Sequence, residues 1–434
     1  MPFQFMEKTD KEKKLSNYII DIAAGPFGSN LKVDCFVPEG FPIIDGANLK
    51  GIKVTDNVTK FVTEEKARSL HRSIAKRNDV VVTISGNVGQ ISYIPSDSKY
   101  DEYLVSQRQF RVTFDTTKVY VPYLIYYFHT KEGQHKILSF ANQTGVPALA
   151  QPLKNFKNIN ILLPDLRVQK SIVSILEKLD DKIELNQRIN ENLEQQAQAL
   201  FKSWFVDFEP FKNGKFIDSE LGRIPEELII RNIGNIPHTI ESGRRPKGGA
   251  VSKGIPSIGA ENIKGLGIYD YSKTKYIPED FAATTNRGEI KGYELLIYKD
   301  GGKPGYFIPN YTIFGDGFPF DVMFINEHVF RLDLMSNEYN IFAYFYMQTP
   351  YIMNQLNSIG GKAAIPGINT KDLESLPIFT DDNKKVQEFG RIALPMITTI
   401  LRNCRENARL AQLRDTLLPK LMSGKIDISN LNIE

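Results

Sequence analysis

The stretch from Leu166 to Phe208 places the strongest limit on what this chain can fold into. Its core positions recur in alternating steps of four and three residues, a heptad pattern that predicts a long helix packed along a partner helix. Asp165 is the expected N-cap, and no further proline occurs before Pro210. At 1.5 Å per residue the helix would be about 60 Å long. The core series is Ile172, Leu176, Leu179, Ile183, Asn186, Asn190, Leu193, Ala197, Leu200 and Trp204.

An internal repeat supplies the partner helix. Four segments recur in the same order at a nearly constant offset: residues 40–51 with 254–265, Ile94–Pro95 with Ile308–Pro309, Tyr123–Phe128 with Ile341–Tyr346, and Ile172–Trp204 with Phe389–Leu421. Because chance similarity does not keep such an order, the sequence indicates one unit that is duplicated. Each copy has short β-rich runs separated by turn residues, followed by a long helix.

The repeat predicts an α+β chain with four parts. Residues 1–165 form a first mixed α/β domain, and residues 166–208 form a first helical spacer. Residues 209–380 hold a linker and the second mixed α/β domain, and residues 381–434 hold the second helical spacer. Pro395 lies inside the second spacer, where it is expected to kink the helix or break its first turn.

Each spacer keeps two asparagines in the middle of its apolar seam: Asn186 and Asn190 in the first, Asn403 and Asn407 in the second. They form a polar layer that fixes helix register, or they occupy exposed helix positions. If the spacers pack antiparallel with the midpoints of the two pairs together, Asn186 meets Asn407 and Asn190 meets Asn403. We therefore predict an antiparallel coiled coil with a pseudo-two-fold axis and the two mixed domains at its opposite ends.

The sequence carries no recognisable catalytic or metal-binding constellation. It lacks a GxxxxGK[ST] phosphate loop and an HExxH motif, and its five histidines and two cysteines have no metal-ligand spacing. The Asn-Pro-Pro-aromatic motif of amino-group DNA methylation is also absent. Scattered carboxylates of a nuclease site stay open as an alternative. Two thiols suit a reducing cytosol, and no apolar run is long enough to span a membrane.

Several loops combine glycine with basic, amide and hydroxyl side chains, the residue types that contact base edges and phosphates of DNA. The formal net charge is only +3, so a DNA-binding surface must come from such local clusters. Taken singly, these residues are also what ordinary turns contain. The candidates are Ser29, Asn30, Lys32, Asn48, Lys50, Ser85, Asn87, Gln90, Gln107 and Arg108 in the first copy, and Arg244, Arg245, Lys247, Asn262, Lys264, Lys299, Lys303 and Lys362 in the second. The aromatic runs Tyr123–Phe128 and Phe342–Tyr346 are stacking platforms or, at helical spacing, parts of the core.

Four motifs make the chain resemble the specificity (S) subunits of type I restriction-modification systems. They are GPFGSNLK at residues 25–32, LFKSWFVDFEP at residues 200–210, SELGRIP at residues 219–225 and LRDTLLPKLMSGKI at residues 413–426. The two motifs at the ends of the helical spacers lie one repeat apart. The resemblance covers the whole chain and implies two target-recognition domains joined by two helical regions.

This resemblance implies a DNA-recognition subunit that does no chemistry itself and binds no cofactor. It would bind double-stranded DNA, two methyltransferase (M) subunits that carry S-adenosylmethionine, and restriction (R) subunits that use ATP and Mg²⁺, all in the cytoplasm. The spacers would set the distance between two unlike half-sites of a bipartite target. Outward-facing charges would contact the M subunits or be solvated: Glu184, Arg188, Glu191, Arg402, Arg405 and Arg409.

Two rival functions stay open at this point. One is an enzyme with an unrecognised nuclease or methyltransferase site. The other is an orphan, non-catalytic DNA-binding protein that works outside any restriction complex. The first would act on DNA as a purified chain, and the second would lack neighbouring genes for M and R subunits.

Overall fold

Short runs of β-branched and aromatic residues in each half of the chain form strands that pair in the same order twice. The computed structural model describes residues 12–142, 145–303, 305–361 and 366–426. By their internal contacts, residues 1–180 with 412–434 form a first unit, and residues 181–411 form a second unit. Both boundaries between the units fall inside long helices, whereas the domain limits predicted from the sequence follow the ends of those helices.

The first unit combines small sheets with short helices before its share of the two long helices. Its elements are β1 (Lys13–Lys14), β2 (Ile19–Ala24), β3 (Phe41–Ile44), β4 (Phe61–Val62), α1 (Glu64–Ser69), β5 (Ile74–Lys76), β6 (Val80–Thr83), β7 (Ile91–Tyr93), β8 (Glu102–Val105), β9 (Gln109–Phe114), α2 (Val121–His129), α3 (Lys131–Leu138), β10 (Ala141–Asn142), β11 (Ala148–Leu149), α4 (Pro152–Lys157) and β12 (Asn160–Ile161). The long helix α5 (Leu166–Phe205) follows.

The second unit repeats this series after a linker hairpin. Its elements are β13 (Phe216–Ser219), β14 (Gly222–Pro225), β15 (Ile230–Asn232), β16 (Thr239–Ser242), β17 (Ile255–Ile258), β18 (Lys275–Ile277), α6 (Glu279–Thr284), β19 (Leu295–Tyr298), β20 (Gly302–Lys303), β21 (Tyr306–Phe307), β22 (Asn310–Ile313), β23 (Phe324–Ile325), β24 (Val329–Asp333), α7 (Asn337–Tyr346), α8 (Pro350–Gly360), α9 (Thr370–Glu374) and β25 (Pro377–Phe379). The long helix α10 (Lys384–Met422) ends the series.

The sheets of the two units have matching topologies. In the first unit one sheet has the order β2-β9-β6-β7, and in the second unit the corresponding order is β16-β24-β19-β22. A further sheet has the order β4-β3-β8-β5 in the first unit and β18-β17-β23 in the second. In each of these the central pair, β3 with β8 or β17 with β23, is parallel. The internal repeat read from the sequence is therefore a repeat of structure.

Both aromatic runs belong to the cores. Tyr123 and Phe128 on α2 are at most 1% exposed, and Phe342 and Tyr346 on α7 are at most 3% exposed. A base could not stack on rings that are covered in this way. Of the two interpretations of these runs, the structure thus supports the core.

The N-terminus of α5 and the region around Pro395 in α10 can each be compared with the sequence prediction. Asp165 caps α5, since its Oδ1 accepts hydrogen bonds from the backbone N–H groups of Arg167 (2.8 Å) and Val168 (3.0 Å), as predicted. The expectation of a broken first turn in the second helix is wrong, because α10 is helical from Lys384 through Pro395. A proline removes only one intrahelical hydrogen bond, and neighbouring side chains such as Ala393 are fully buried, so packing holds the helix together.

The ten predicted seam positions of α5 are all buried or partly buried. In the first unit, Ile172 and Leu176 lie in one core cluster with Leu418 and Leu421 of α10. In the second unit, Ala197 and Phe201 lie in one cluster with Phe389 and Ala393 of the same helix. The apolar stripe of each long helix is thus covered within each unit.

Four asparagines of the second unit, Asn186, Asn190, Asn403 and Asn407, form a polar layer between α5 and α10 that we call the asparagine layer. Asn186 Nδ2 donates to Asn407 Oδ1 at 2.9 Å, and Asn403 Nδ2 donates to Asn190 Oδ1 at 2.8 Å. Asn186 is only 1% exposed, which excludes an exposed position for it. The partner number falls as the number in α5 rises, as in an antiparallel pair.

Engineered cysteines should report this pairing. In a chain that lacks Cys35 and Cys404, we expect Asn186→Cys with Asn407→Cys to form an intramolecular disulfide under mild oxidation, because the two side chains are in contact. Faster migration in non-reducing electrophoresis and peptide mass spectrometry would detect it. Asn186→Cys with Asn403→Cys is the matched control, and more rapid oxidation of the control would contradict the antiparallel pairing.

A buried arginine on the second strand of the sheets β2-β9-β6-β7 and β16-β24-β19-β22 marks the repeat at the level of side chains. Arg111 Nη2 of β9 lies 2.6 Å from Asp21 Oδ2. Arg331 of β24 lies 2.8 Å from Glu294 Oε1 and 2.9 Å from Glu241 Oε2. These arginines are 8% and 5% exposed, so their charges depend on the paired carboxylates.

Removing one member of the second network should therefore destabilise the second unit. We expect Arg331→Ala to lower the free energy of unfolding by about 3–5 kcal/mol, because it leaves the buried carboxylate of Glu294 without its cation. Urea denaturation followed by circular dichroism would measure this. Arg245→Ala, at an exposed arginine of the same unit, is the control. The double variant Arg331→Met with Glu294→Met should recover most of the loss, and a loss that persists in it would argue against the ion pair as the cause.

Candidate nucleic-acid interface

Five of the predicted residues come together in a cleft of the first unit, which we call the first cleft. It has a volume of about 670 Å³ and lies between the turn that follows β6, the turn between β8 and β9, and the segment after the 3-10 turn Gly28–Asn30. The predicted residues that line it are Ser85, Asn87, Gln90, Gln107 and Arg108. The sequence placed these residues on two separate loops, and the folding of β6, β8 and β9 into adjacent sheets brings the loops together.

The five side chains differ in their freedom to bind a ligand. Gln90 Nε2 donates to the backbone oxygen of Gly46 at 3.1 Å, so this amide holds the cleft together. Gln107 Nε2 donates to the backbone oxygen of Leu31 at 2.5 Å and has a similar role. Asn87 and Arg108 are exposed and have no side-chain hydrogen-bond partner among the described residues. They are thus the side chains of this cleft most available to base edges or phosphates.

An ion pair that the sequence did not single out also lines the first cleft. Lys60 Nζ lies 2.6 Å from Asp45 Oδ2. Burial raises the pKa of Asp45, but hydrogen bonds from Lys60 and from the backbone N–H of Ala47 outweigh burial, so the pKa lies below its ordinary value. Asp45 therefore stays ionised at neutral pH, and Lys60 neutralises a charge that would otherwise repel phosphates.

The motif Gly25–Lys32, which we call the tip loop, borders both this cleft and another. Ser29, Asn30 and Lys32 are exposed, as an interface would require. Asn30 lines a second cleft of about 480 Å³, which His71 and Arg72 also line. The sequence prediction missed Arg72, because this arginine follows α1 in a segment with no glycine-rich motif.

The candidates of the second unit lie on several loops. Arg244, Arg245 and Lys247 are exposed on the segment after β16, and Glu327 Oε1 lies 3.8 Å from Arg245 Nη1. Lys264 and Lys303 are also exposed. Three cations on one short exposed segment form the densest basic cluster that the sequence predicted.

The remaining candidate lysines differ in how exposed their side chains are, and one lies outside the described residues. Lys50 of the first unit is exposed. Lys299 is half-buried, with its ammonium 5.2 Å from the centre of the Phe330 ring. Lys362 lies outside the described residues.

Two predicted DNA-binding residues are instead structural. Asn48 is 3% exposed, and its Oδ1 accepts a hydrogen bond from the backbone N–H of Asp45 at 3.1 Å. Asn262, its counterpart in the repeat, is 1% exposed and accepts from the backbone N–H of Gly259 at 2.9 Å. Each asparagine closes the same turn, so we leave both out of the interface. An asparagine in a glycine-rich loop has the same local sequence whether it closes the turn or faces solvent.

Metal clusters and membrane-spanning helices bear on alternative functions. Within residues 12–142, 145–303, 305–361 and 366–426, no group of three or more His, Cys, Asp or Glu side chains is arranged to hold a metal ion. Among the helices described, none has the length and apolarity that crossing a membrane requires.

Comparison with known proteins finds a matching family model and two curated relatives with similar names. The family model for the type I restriction modification DNA specificity domain matches residues 37–195. The type I restriction enzyme MjaIX specificity subunit of Methanocaldococcus jannaschii is 25% identical over 380 residues, covering 85% of this chain and 82% of that protein. The HindI specificity subunit of Haemophilus influenzae is 23% identical over 402 residues, covering 78% of this chain and 84% of its own.

A solved structure is similar over nearly the full length. The crystal structure of a type I restriction-modification system S subunit from M. genitalium matches with a TM-score of 0.60 and 15% sequence identity. The match covers 96% of this chain and 98% of that one. At this identity the likeness concerns the fold alone.

The basic cluster after β16 should contribute directly to binding of a polyanion. For duplex DNA, the logarithm of the binding constant falls as the logarithm of the salt concentration rises. We expect the triple variant Arg244→Ala, Arg245→Ala, Lys247→Ala to make this slope shallower by about two to three, because each phosphate contact contributes roughly 0.9 to its magnitude. Fluorescence anisotropy between about 50 and 200 mM salt would measure the slope. The matched control removes three exposed cations of the same unit outside the candidate loops, Arg231, Lys371 and Lys384. Equal slopes for the two triple variants would contradict a role for the cluster.

Proposed function

We propose that this chain, which belongs to the family of type I restriction-modification specificity subunits, is the subunit that selects the DNA sequence for its complex. The observation that carries the proposal is the duplication of a mixed α/β unit whose buried frame is the same in both copies and whose exposed loops differ. A frame of this kind presents two different sets of polar side chains to one duplex. The target would then be bipartite and asymmetric.

Within each unit, some exposed side chains would contact base edges of the DNA, and others would contact its phosphates and fix the position of the protein. In the first unit, Asn87 and Arg108 of the first cleft would contact base edges, an amide typically pairing with adenine and a guanidinium with guanine. Ser29, Asn30 and Lys32 of the tip loop would contact the sugar-phosphate backbone of the DNA next to those bases. In the second unit, Arg244, Arg245 and Lys247, with Lys264, Lys299 and Lys303, would take these roles.

The long helices α5 and α10 would act as a spacer between the two half-sites. We infer that they form an antiparallel coiled coil with a pseudo-two-fold axis at the asparagine layer, so that the recognition domains would lie at opposite ends of it. The paired asparagines support this inference, because a shift of register would place an amide against an apolar side chain. The gap between the half-sites would then have a constant length.

Partner subunits would supply all chemistry. We propose that two M subunits with S-adenosylmethionine and R subunits with ATP and Mg²⁺ assemble on this chain in the cytoplasm, and that the chain itself binds no cofactor. Arg402 Nε lies 2.9 Å from Asp316 Oδ2 and Arg405 Nη2 lies 2.7 Å from Asp321 Oδ1, so these two arginines already bind a loop of their own unit. Docking would therefore use the other outward charges, such as Glu191 and Arg409, which are exposed.

The purified chain should bind DNA without altering it. We expect neither cleavage of a supercoiled plasmid in the presence of Mg²⁺ nor transfer of a labelled methyl group from S-adenosylmethionine, because no catalytic constellation is available. Addition of the M subunits should restore methyl transfer. Methyl transfer or cleavage by the chain alone would favour the rival function, an enzyme with an unfamiliar site. Sequence-specific binding with no assembly with M or R subunits would favour an orphan DNA-binding protein.

Lengthening the spacer should widen the gap of the target. We expect one heptad, inserted into both α5 and α10 on the same side of the asparagine layer, to add about 10 Å and thus roughly three base pairs to the gap. Both half-sites should keep their sequences, because the recognition loops are unchanged. Methylation-aware sequencing of a host that expresses the variant complex would show the new target. Substitution of one heptad by another of the same pattern is the control, and an unchanged gap would refute the spacer role.

A further inference from the structure

Phe27 is the most exposed large apolar side chain of the first unit, with an exposed fraction of 83%. A phenylalanine ring in water forgoes the stabilisation that burial gives, so burial against a ligand would be favourable for it. Within the same loop, the backbone N–H of Asn30 donates to the Phe27 carbonyl at 2.7 Å. The ring projects from an ordered turn.

The tip loop is fixed to the sheet below it by close contacts. The Gly25 N–H donates to the Gln109 carbonyl at 2.8 Å. A Cβ at Gly25 would lie only 1.9 Å from the backbone oxygen of Ser106, so no other residue fits there. Gln107 Nε2 also donates to the Gly28 carbonyl at 3.1 Å. Because the loop is held in this way, the ring would lose little conformational freedom when it binds a partner.

The surroundings of Phe27 indicate what that partner is. Phe27 lines the second cleft together with Asn30, His71 and Arg72, and the other side of the tip loop borders the first cleft with Arg108. An apolar ring between exposed cations and amides fits a nucleic acid, whose bases are flat and apolar while its phosphates are charged. A protein-docking surface would instead need a wider apolar patch around the ring.

The second unit uses the same loop attachment with different side chains. The Gly243 N–H donates to the Asn326 carbonyl at 3.2 Å, and a Cβ at Gly243 would lie 1.8 Å from the backbone oxygen of Ile325. Arg244 and Arg245 follow this glycine, as Pro26 and Phe27 follow Gly25. The second residue after the glycine is therefore exposed in both units, and it is Phe27 in one copy and Arg245 in the other.

We propose that Phe27 inserts its ring against a base step of one half-site and reads it through stacking and local deformability rather than through hydrogen bonds. This inference rests on the proposed function as a DNA-recognition subunit. Apolar side chains that enter a base step favour steps that unstack easily, so this contact would add specificity at a position with no polar readout. Arg72 and Lys32 would hold the flanking phosphates.

The test uses the full chain assembled with its methyltransferase subunits. The target is first found by methylation-aware sequencing, and binding is then measured by fluorescence anisotropy on three duplexes: the intact target, and the target with either half-site scrambled. We expect Phe27→Ala to weaken binding to the intact target about tenfold, as loss of one base–aromatic stack does, and Phe27→Trp to stay near the native affinity. Ile20→Ala, at another exposed apolar residue of the same unit (69% exposed), is the control and should change little.

The scrambled duplexes locate the contact. The loss caused by Phe27→Ala should disappear when one particular half-site is scrambled and persist when the other is. A Phe27→Ala complex that binds the intact target as the native one does would overturn the proposal. A loss that is equal on all three duplexes, or a loss of assembly with the methyltransferase subunits, would overturn it as well. If the native complex itself shows no preference for the target, the proposed function fails independently of Phe27.

Discussion

Burial of the apolar stripes on the two long helices is the interaction on which the rest of the structure depends. A helix of this length with one apolar face is stable in water only when a second element covers that face. Ile172 and Leu421 meet in the core of the first unit, and Ala197 and Phe389 meet in the core of the second. Each long helix therefore takes part in both cores.

The asparagine layer adds direction and register to an interaction that is otherwise unspecific. Apolar seams tolerate sliding, because one leucine packs almost as well as another. A buried amide does not, since an unpaired amide in an apolar site costs about 1–3 kcal/mol. Asn186 bonds to Asn407, and Asn403 bonds to Asn190, so any shifted register would separate both pairs. The polar layer thus gives up some stability for a single arrangement of the helices.

Features that depend on local or periodic sequence signals could be predicted from the sequence. Features that depend on contacts between distant parts of the chain could not. The heptad period, the cap at Asp165 and the duplicated units could all be read from residue spacing. Asn48 could not be placed, because a buried asparagine that closes a turn has the same neighbours in sequence as an exposed one. Arg72 was missed because only the tertiary structure puts it in a cleft with Asn30. The broken first turn expected near Pro395 was wrong, since packing around α10 compensates for one missing hydrogen bond.

A net charge of +3 is small for a protein whose proposed ligand is DNA. The duplicated architecture would allow strong DNA binding in spite of this small charge. In the proposed arrangement, two recognition units on one spacer would make the second contact with DNA intramolecular once the first has formed, which would raise the effective concentration of the second site. Neither unit then needs a strongly basic surface, and weak general attraction leaves discrimination to the loops. The tip loop of the first unit presents Phe27 where the second unit presents Arg245. One unit would therefore depend more on stacking and the other more on charge, and two half-sites read in such different ways have no reason to share a sequence.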